Sequence, residues 1–441
     1  MNLDRSRAAV LGLGTSGEAA ARLLHRQGAS VTVFDSGKPS AQKIRALQDL
    51  GISIVTGESA DRAKADFDLT ILSPGIDPIV PLVENFRRQG VAFVGELELA
   101  FRFCKRPVIA ITGTNGKTTT TQLIESMLNS AGQRTVACGN IGMPFAEAVQ
   151  RQAEFDIFTV EVSSFQLETI STFRPDVAVW LNLTPDHLDR YPSVSEYRTA
   201  KLRIFENQRS GDFAVTNYSE NFRDLAARQI TFSAYSPKAD FFLEGDMVRF
   251  RGEPILGIRE THLSGIHNAE NLMAALGTAQ AVQIPWEKAK RGLTNYRLLP
   301  HRCEKVGEID GVTFINDSKA TNLDALVKAL ESQAEPVILI AGGKDKGFEF
   351  DAIAGLIHEK AKHAILIGEM ADRIFRSWGK VVPCSRAKTL AAAVDEARQQ
   401  SLPGDVVLFS PGTSSFDMFE NYADRGNQFR EIIQELAGEN H

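Results

Sequence analysis

Short β-rich runs alternate with longer stretches of helical period along most of the chain, and this alternation limits the possible folds more than any other feature. AAVLGLG (8–14) leads into the helical EAAARLLHRQG, then VTVFD (31–35), and FDLTILSPG (67–75) closes a first series. The pattern returns in VIAIT (108–112), FDIFTVE (155–161) and VAVWLNL (177–183). It returns again in VTFIND (312–317), VILIAGG (337–343), AILIG (364–368) and VVLFSPG (406–412). Strands separated by helices form βαβ units, because parallel neighbours need a crossover and the helix provides it. Three series predict three sheets, and 441 residues at about 150 per domain give the same count.

Two glycine-rich turns locate the chemistry. Gly12-Leu13-Gly14-Thr15-Ser16-Gly17 fits GxGxxG between a strand and a helix, with Asp35 and Ser36 at the end of the next strand, where a ribose-binding acid belongs. Such a turn lets backbone amides and a helix N-terminus approach a diphosphate, whether of a nicotinamide or of a sugar nucleotide. A tight turn that simply needs glycine is the alternative. Ser73-Pro74-Gly75 and Ser410-Pro411-Gly412 close apolar strands in the outer series, at the strand ends where open α/β sheets hold ligands.

The second turn, Gly113-Thr114-Asn115-Gly116-Lys117-Thr118-Thr119, follows VIAIT and precedes a helix expected to run to about Ala131. A nucleoside triphosphate needs what this turn offers: inward amides, Lys117 as a point charge and the Thr118 hydroxyl for Mg²⁺. Ile111 stands where the full GxxxxGK[ST] pattern has its first glycine. Glu161 ends a later strand as a potential metal carboxylate, and Thr184 to Arg190 ends the one after it, so two strand ends are expected to converge on the loop. His187 alone reads as an ordinary histidine, and Lys201 alone as a solvated lysine. Lysine binds Mg²⁺ only once its amine is neutral and converted to a carbamate.

The expected architecture is α/β with three domains: Rossmann-like over 1–95, P-loop ATPase-like over 96–298, and Rossmann-like over 299–441. The breaks fall near Val94 and within GLTNYRLLPHR, and Phe232 to Leu263 reads as a hairpin insertion in the central domain. With 49 Lys and Arg against 55 Asp and Glu, the net charge is −6, which argues against a nucleic-acid partner. No apolar stretch approaches the ~18 residues of a membrane span, so no membrane is expected and the cytoplasm is the expected location. Cys104, Cys138, Cys303 and Cys384 form no CxxC pair and read as reduced core residues.

TGTNGKTT, EVSSFQLE, LNLTPDHLDRY, YRTAKLRIFENQ, GIHNAENLMAA, LPHRCE, NDSKATN and SPGTSSFDMFENYADRGNQF together resemble the Mur ligase family, across all three domains. The resemblance implies that UDP-N-acetylmuramoyl-L-alanine is held by the first domain, at Thr15, Ser16, Asp35, Ser36, Ser73 and Gly75, and by Asn140, with His187 also at the substrate. It implies ATP on the loop, with Asn268, Asn271, Arg302 and Asp317 also reaching it. Two Mg²⁺ sites are implied, one at Thr118 and Glu161 and one at His187 and a lysine carbamate formed from CO₂ on Lys201. Lys319, Thr321, Lys346, Ser415 and Tyr422 match positions facing the incoming amino acid, D-glutamate. Catalysis is thus assigned to Lys117, Glu161, His187 and Lys201, in a monomer. Thr413 to Ser415 have a separate warrant, since they are expected to start a helix whose free amides favour an anion. Gly37 departs from relatives that can carry arginine near the nucleotide. A nicotinamide-dependent dehydrogenase would explain GLGTSG and Asp35 but not TGTNGKTT, and an ATP-binding regulatory module would make no amide.

Overall fold

A computed structural model describes residues 3–37, 39–76, 79–188, 190–297, 300–345 and 348–438. Three sheets lie in chain order, as the three series predict. The first contains β1 (Arg7–Leu11), β2 (Ser30–Asp35), β3 (Ser53–Thr56), β4 (Leu69–Leu72) and β5 (Phe93–Gly95), all parallel, in the order β3-β2-β1-β4-β5. Ala8 to Leu11 are fully buried, as expected for a parallel strand covered on both faces. The strand order reverses between β1 and β4, so the loops after them, at Gly12 and at Ser73, flank the crevice where doubly wound sheets bind ligands.

The glycines of the first turn have separate duties. Gly12 has φ +93°, and a Cβ there would lie 2.5 Å from Ile76 Cδ1. A Cβ on Gly17 would lie 1.9 Å from the Gly12 carbonyl oxygen, so only glycine lets the helix Thr15–Arg26 approach its strand. At Gly14 the nearest group is Ser73 Oγ at 4.0 Å, which leaves the crevice side of the turn open.

The central sheet contains β6 (Val108–Thr112), β7 (Ala137–Gly139), β8 (Phe158–Glu161), β9 (Val177–Trp180), β10 (Phe213–Asn217), β11 (Arg228–Ser233), β12 (Phe241–Glu244), β13 (Met247–Phe250) and β14 (Glu253–Gly257). Its order is β14-β13-β12-β11-β10-β9-β6-β8-β7. β12 pairs parallel with β11, and β13 and β14 add an antiparallel meander, so the expected hairpin insertion extends the sheet edge. β6 lies between β8 and β9, which sets the loop after it beside both strand ends.

The third sheet contains β15 (Glu304–Ile309), β16 (Val312–Asn316), β17 (Val337–Gly342), β18 (Ala361–Ile367), β19 (Cys384–Arg386) and β20 (Val406–Phe409), in the order β15-β16-β20-β17-β18-β19. Only the β15–β16 pair is antiparallel, joined through Asp310 and Gly311, both at positive φ. Such an Asp-Gly pair is the preferred two-residue hairpin turn.

The chain forms two compact units. One holds residues 1–182, 198–261 and 268–296, with the first two sheets, and the other holds 183–197, 262–267 and 297–441. The first two sheets share a unit because the helix Glu96–Phe103 between them is tied into the central region. Glu98 accepts bonds from the amides of Ser171, Thr172 and Phe173 and from the Thr172 hydroxyl, and buried Glu96 accepts one from Ala146 N. No described helix is long and apolar enough to cross a membrane. All four cysteines are free, but only Cys138 is a core residue; the other three are half-buried, which corrects the sequence expectation.

Candidate active site

Two glycines shape the loop between β6 and the helix Lys117–Ser130. Gly116, at φ +83°, caps that helix, and a Cβ there would lie 2.3 Å from Asn271 Oδ1. A Cβ on Gly113 would lie 2.9 Å from Leu181 Cβ. Ile111, the departure from the standard motif, is a buried β6 residue in register with Glu161 and Val179, so the loop itself begins after the strand, at Gly113. The first intrahelical bond runs from Thr120 N to the Gly116 carbonyl, 2.9 Å. The amides of Lys117, Thr118 and Thr119 precede it, forming the anion-attracting end of the helix. The Thr120 hydroxyl donates to Asn271 Oδ1, which in turn links to Asn268, so this buried asparagine pair backs the loop.

Thr114 and Asn115 behave differently from the sequence expectation. Their amides donate to Asn182, to its carbonyl (3.0 Å) and its Oδ1 (2.9 Å) respectively. In this arrangement they brace the loop.

Two lysines meet at one oxygen. Lys117 Nζ donates to the carbonyls of Gly113 (2.9 Å) and Thr114 (2.7 Å), and Lys201 Nζ donates to the same Gly113 carbonyl at 2.9 Å. Lys201 is only 1% exposed, so its reading as a solvated lysine is overturned. Glu161, at the end of β8, accepts from Asn140 Nδ2 at 2.9 Å through Oε1. Its buried Oε2 has no hydrogen-bond partner among the described residues. An orphaned carboxylate oxygen beside a phosphate loop suits a hard cation, which such sites hold with one or two carboxylates and substrate phosphates. No group of three or more His, Cys, Asp or Glu among the described residues forms a metal cage.

Thr15, Ser16 and Gly75 from the first sheet line a cavity of about 330 Å³ together with Asn140, Ser163 and Phe165 from the central one. Ser73, next to the lining residue Pro74, is buried. The Asp35 carboxylate accepts from the amides of Leu13 (2.6 Å) and Gly37 (2.7 Å), and the Ser36 hydroxyl donates to Asp61. Asp35 therefore holds the glycine turn in shape.

The second unit carries the remaining expected residues. Asp317, just past β16, accepts from Ser410 Oγ (2.7 Å) and Cys303 N (3.2 Å), near half-buried Arg302. Lys319 Nζ lies 3.8 Å from the centre of the Tyr422 ring, a cation–π contact, while Thr321 is half-buried and Ser415 buried. Lys346 lies outside the described residues. His187 takes a left-handed φ of +56°, unusual for a non-glycine residue, and its amide donates to Asp186 Oδ1. Asp186 also accepts from Asn322 Nδ2 at 3.0 Å.

Thr413 to Ser415 do not start a helix. The helix is Tyr422–Gly438, and it begins there because Asn421 Oδ1 accepts the amides of Ala423 and Asp424. Fully buried Arg425 instead fixes the 413 segment, donating to the Thr413 carbonyl and to the carbonyl and hydroxyl of Ser318. Burial lowers its pKa to about 10, leaving it charged at neutral pH.

Burial also raises the Asp317 pKa to about 6, against hydrogen bonds that pull it down. With the folded value above the unfolded 3.8, Asp317's contribution to stability is full below about pH 4 and is lost as pH rises through 6. Asp317→Asn should therefore stabilise the fold at pH 8 relative to pH 4.5, by on the order of 2 kcal/mol, read from paired thermal melts. An equal change at both pH values would contradict this.

Comparison with known proteins bears on all three sheets. Residues 6–95 match the Mur ligase MurD-like N-terminal domain, 111–279 the Mur ligase middle domain, and 301–412 the Mur ligase glutamate ligase domain. The chain belongs to the Mur ligase family. It is 42% identical over 449 residues to a UDP-N-acetylmuramoylalanine–D-glutamate ligase of Koribacter versatilis, with 99% of each chain covered. A protein of the same name from Pelotomaculum thermopropionicum is 41% identical, again with 99% of each covered. Among solved Mur ligases, the UDP-N-acetylmuramate-alanine ligase of Thermotoga maritima has a TM-score of 0.64 at 19% identity, covering 98% of this chain and 100% of that one. The MurF ligase of the same organism, solved with ADP, has a TM-score of 0.61 at 14% identity, covering 100% and 96%. At such identities the likeness is one of fold.

Two residues of this Mur ligase lie inside motifs that carry the resemblance yet take no role from them: Asn182 in LNLTPDHLDRY, and Arg425 in SPGTSSFDMFENYADRGNQF, where its polar neighbours suggest solvent. Arg425 had one available signal, the small Gly426 after it, whose Cβ position lies 2.3 Å from His301 Nδ1 and marks a tightly packed face.

Proposed function

We propose that the chain joins D-glutamate to the alanine carboxylate of UDP-N-acetylmuramoyl-L-alanine at the expense of ATP, a step in making peptidoglycan precursors. The observation that carries the reading is Asn140: it lines the cavity beside the first-sheet glycine turn and also holds Glu161 at the phosphate loop. A nucleotide-sugar cavity and a phosphoryl-transfer site thus share one side chain. The names of the full-length relatives support the same substrates.

In this reading residues 1–95 hold the UDP substrate, 96–298 bind ATP and 299–441 bring the amino acid. The alanine carboxylate attacks the γ-phosphorus, giving an acyl phosphate and ADP. The D-glutamate amine then adds to the acyl carbon, and the tetrahedral intermediate expels phosphate as the amide forms. Lys117 and the first-turn amides stabilise charge on the transferring group. Thr118 and Glu161 would hold one Mg²⁺, which when bound would neutralise phosphate charge. His187 and a carbamate on Lys201 would hold a second, the carbamate supplying the oxygen ligand that an amine cannot. Asn268, Asn271, Arg302 and Asp317 serve ATP, while Lys319, Thr321, Lys346, Ser415 and Tyr422 serve the D-glutamate side. The protein works as a cytoplasmic monomer without nucleic acid or membrane.

The test is phosphate release with MgATP and UDP-N-acetylmuramoyl-L-alanine, as D-glutamate is replaced by L-glutamate, L-alanine or a diamino acid. Release is expected with D-glutamate and close to background with the others. Release that ignores the acceptor would leave an ATPase or switch.

A further inference from the structure

The two amides withdrawn from the phosphate loop point to how the loop is held. β6 and β9 run parallel with Thr112 in register with Trp180, and beyond the strand ends the pairing continues: Leu181 N donates to the Thr112 carbonyl and Thr114 N to the Asn182 carbonyl, both at 3.0 Å. The Asn182 side chain then closes a reciprocal pair with the Asn115 backbone. Its Oδ1 accepts Asn115 N at 2.9 Å and its Nδ2 donates to the Asn115 carbonyl at 3.1 Å. This one residue engages the loop backbone at two consecutive positions, the Thr114 amide and both backbone groups of Asn115, just before Gly116 turns the chain into the helix.

We infer that Asn182 is a positioning residue for the nucleotide: it straps the first half of the loop to β9, so that only the helical half, Lys117 to Thr119, presents its amides to phosphate. The physical case is pre-organisation. A glycine-bearing loop has many accessible conformations, and ordering it at the moment of binding lowers affinity. Three hydrogen bonds to a strand end remove that freedom beforehand. The strap also fixes the Gly113 carbonyl, the oxygen on which Lys117 and Lys201 converge, so slack in the loop would misplace both amines. Asn182 is moreover the last residue of the first unit before the chain passes into residues 183–197, and the chain returns at Arg198, three residues ahead of Lys201.

Asparagine suits the task because it carries a donor and an acceptor on one planar group, matching a peptide's own N–H and C=O. Aspartate matches it in shape alone, so Asn182→Asp keeps the acceptor and sets an oxygen against the Asn115 carbonyl. The inference deepens the ATP-site reading above and rests on it.

The experiment compares wild type, Asn182→Ala and Asn182→Asp in the full chain, by steady-state kinetics, by calorimetry with MgADP and by thermal melts. Both variants are expected to raise KM for MgATP and weaken MgADP about tenfold, as loss of the side-chain pair implies. KM for the UDP substrate should stay within twofold and the melting temperature close to wild type. Wild type that takes up no MgADP would sink the site reading itself. Wild type that binds, with variants binding equally well, would overturn the strap alone. Should Asn182→Ala fail to fold, the isosteric Asn182→Asp decides: an unchanged KM for MgATP overturns the inference.

Discussion

Lys117→Ala is expected to lower phosphate release about a thousandfold, the scale of losing one preorganised charge or donor in a transition state. The lysine is half-buried at the start of its helix, and its bonds to the Gly113 and Thr114 carbonyls stay within the loop, so the fold should survive. Binding of the UDP substrate, built on the first sheet's turn, should stay within twofold. Lys117→Arg should rescue little, because a planar guanidinium does not fill the place of a compact ammonium. Loss of UDP-substrate binding in parallel would point to misfolding, and retained turnover would remove Lys117 from the phosphoryl step.

The other large effect belongs to Lys201. Lys201→Ala should lose activity by a factor of about a hundred or more, as removal of a metal's supporting ligand does, and millimolar acetate or formate should restore part of it. A lysine 1% exposed is kept there against a desolvation cost, beside a second amine. A carbamate turns that amine into an oxygen ligand, and a small carboxylate in the truncated side chain's space offers the same oxygens. Loss of activity that no carboxylate restores, in a folded variant, would mean that the ammonium itself is the working group. Full activity without additive would make the lysine structural.

Much of this is legible in the sequence, for a reason visible in which residues it reveals. The GxGxxG turn and the loop ending in Gly116-Lys117-Thr118 are local: their chemistry is complete within a few residues, so spacing reveals them. Glu161 is legible because a strand end is a position as well as a residue. Asn182 is not, because its role depends on the pairing of β6 with β9, and no local pattern encodes which strands become neighbours. Lys201 reads as solvated since its burial comes from packing across elements. Thr413 to Ser415 read as a helix start, yet the capping side chain is Asn421, and the earlier segment is held by a buried arginine over a hundred residues from its other partner, Ser318.

The glycine turn of the first sheet shows a subtler limit. Asp35 sits where a ribose-binding acid is expected, and in the structure its two oxygens accept the amides of Leu13 and Gly37. Spacing alone places the acid at the turn; it does not say whether the carboxylate faces ligand or backbone.

The central claim is that ATP energises a carboxylate before the amide forms, and isotope transfer tests it most directly. UDP-N-acetylmuramoyl-L-alanine labelled with ¹⁸O in the alanine carboxylate is turned over with MgATP and D-glutamate, and the released phosphate is analysed by mass. An acyl phosphate requires one labelled oxygen to leave with each phosphate formed. Unlabelled phosphate alongside amide product would contradict the account.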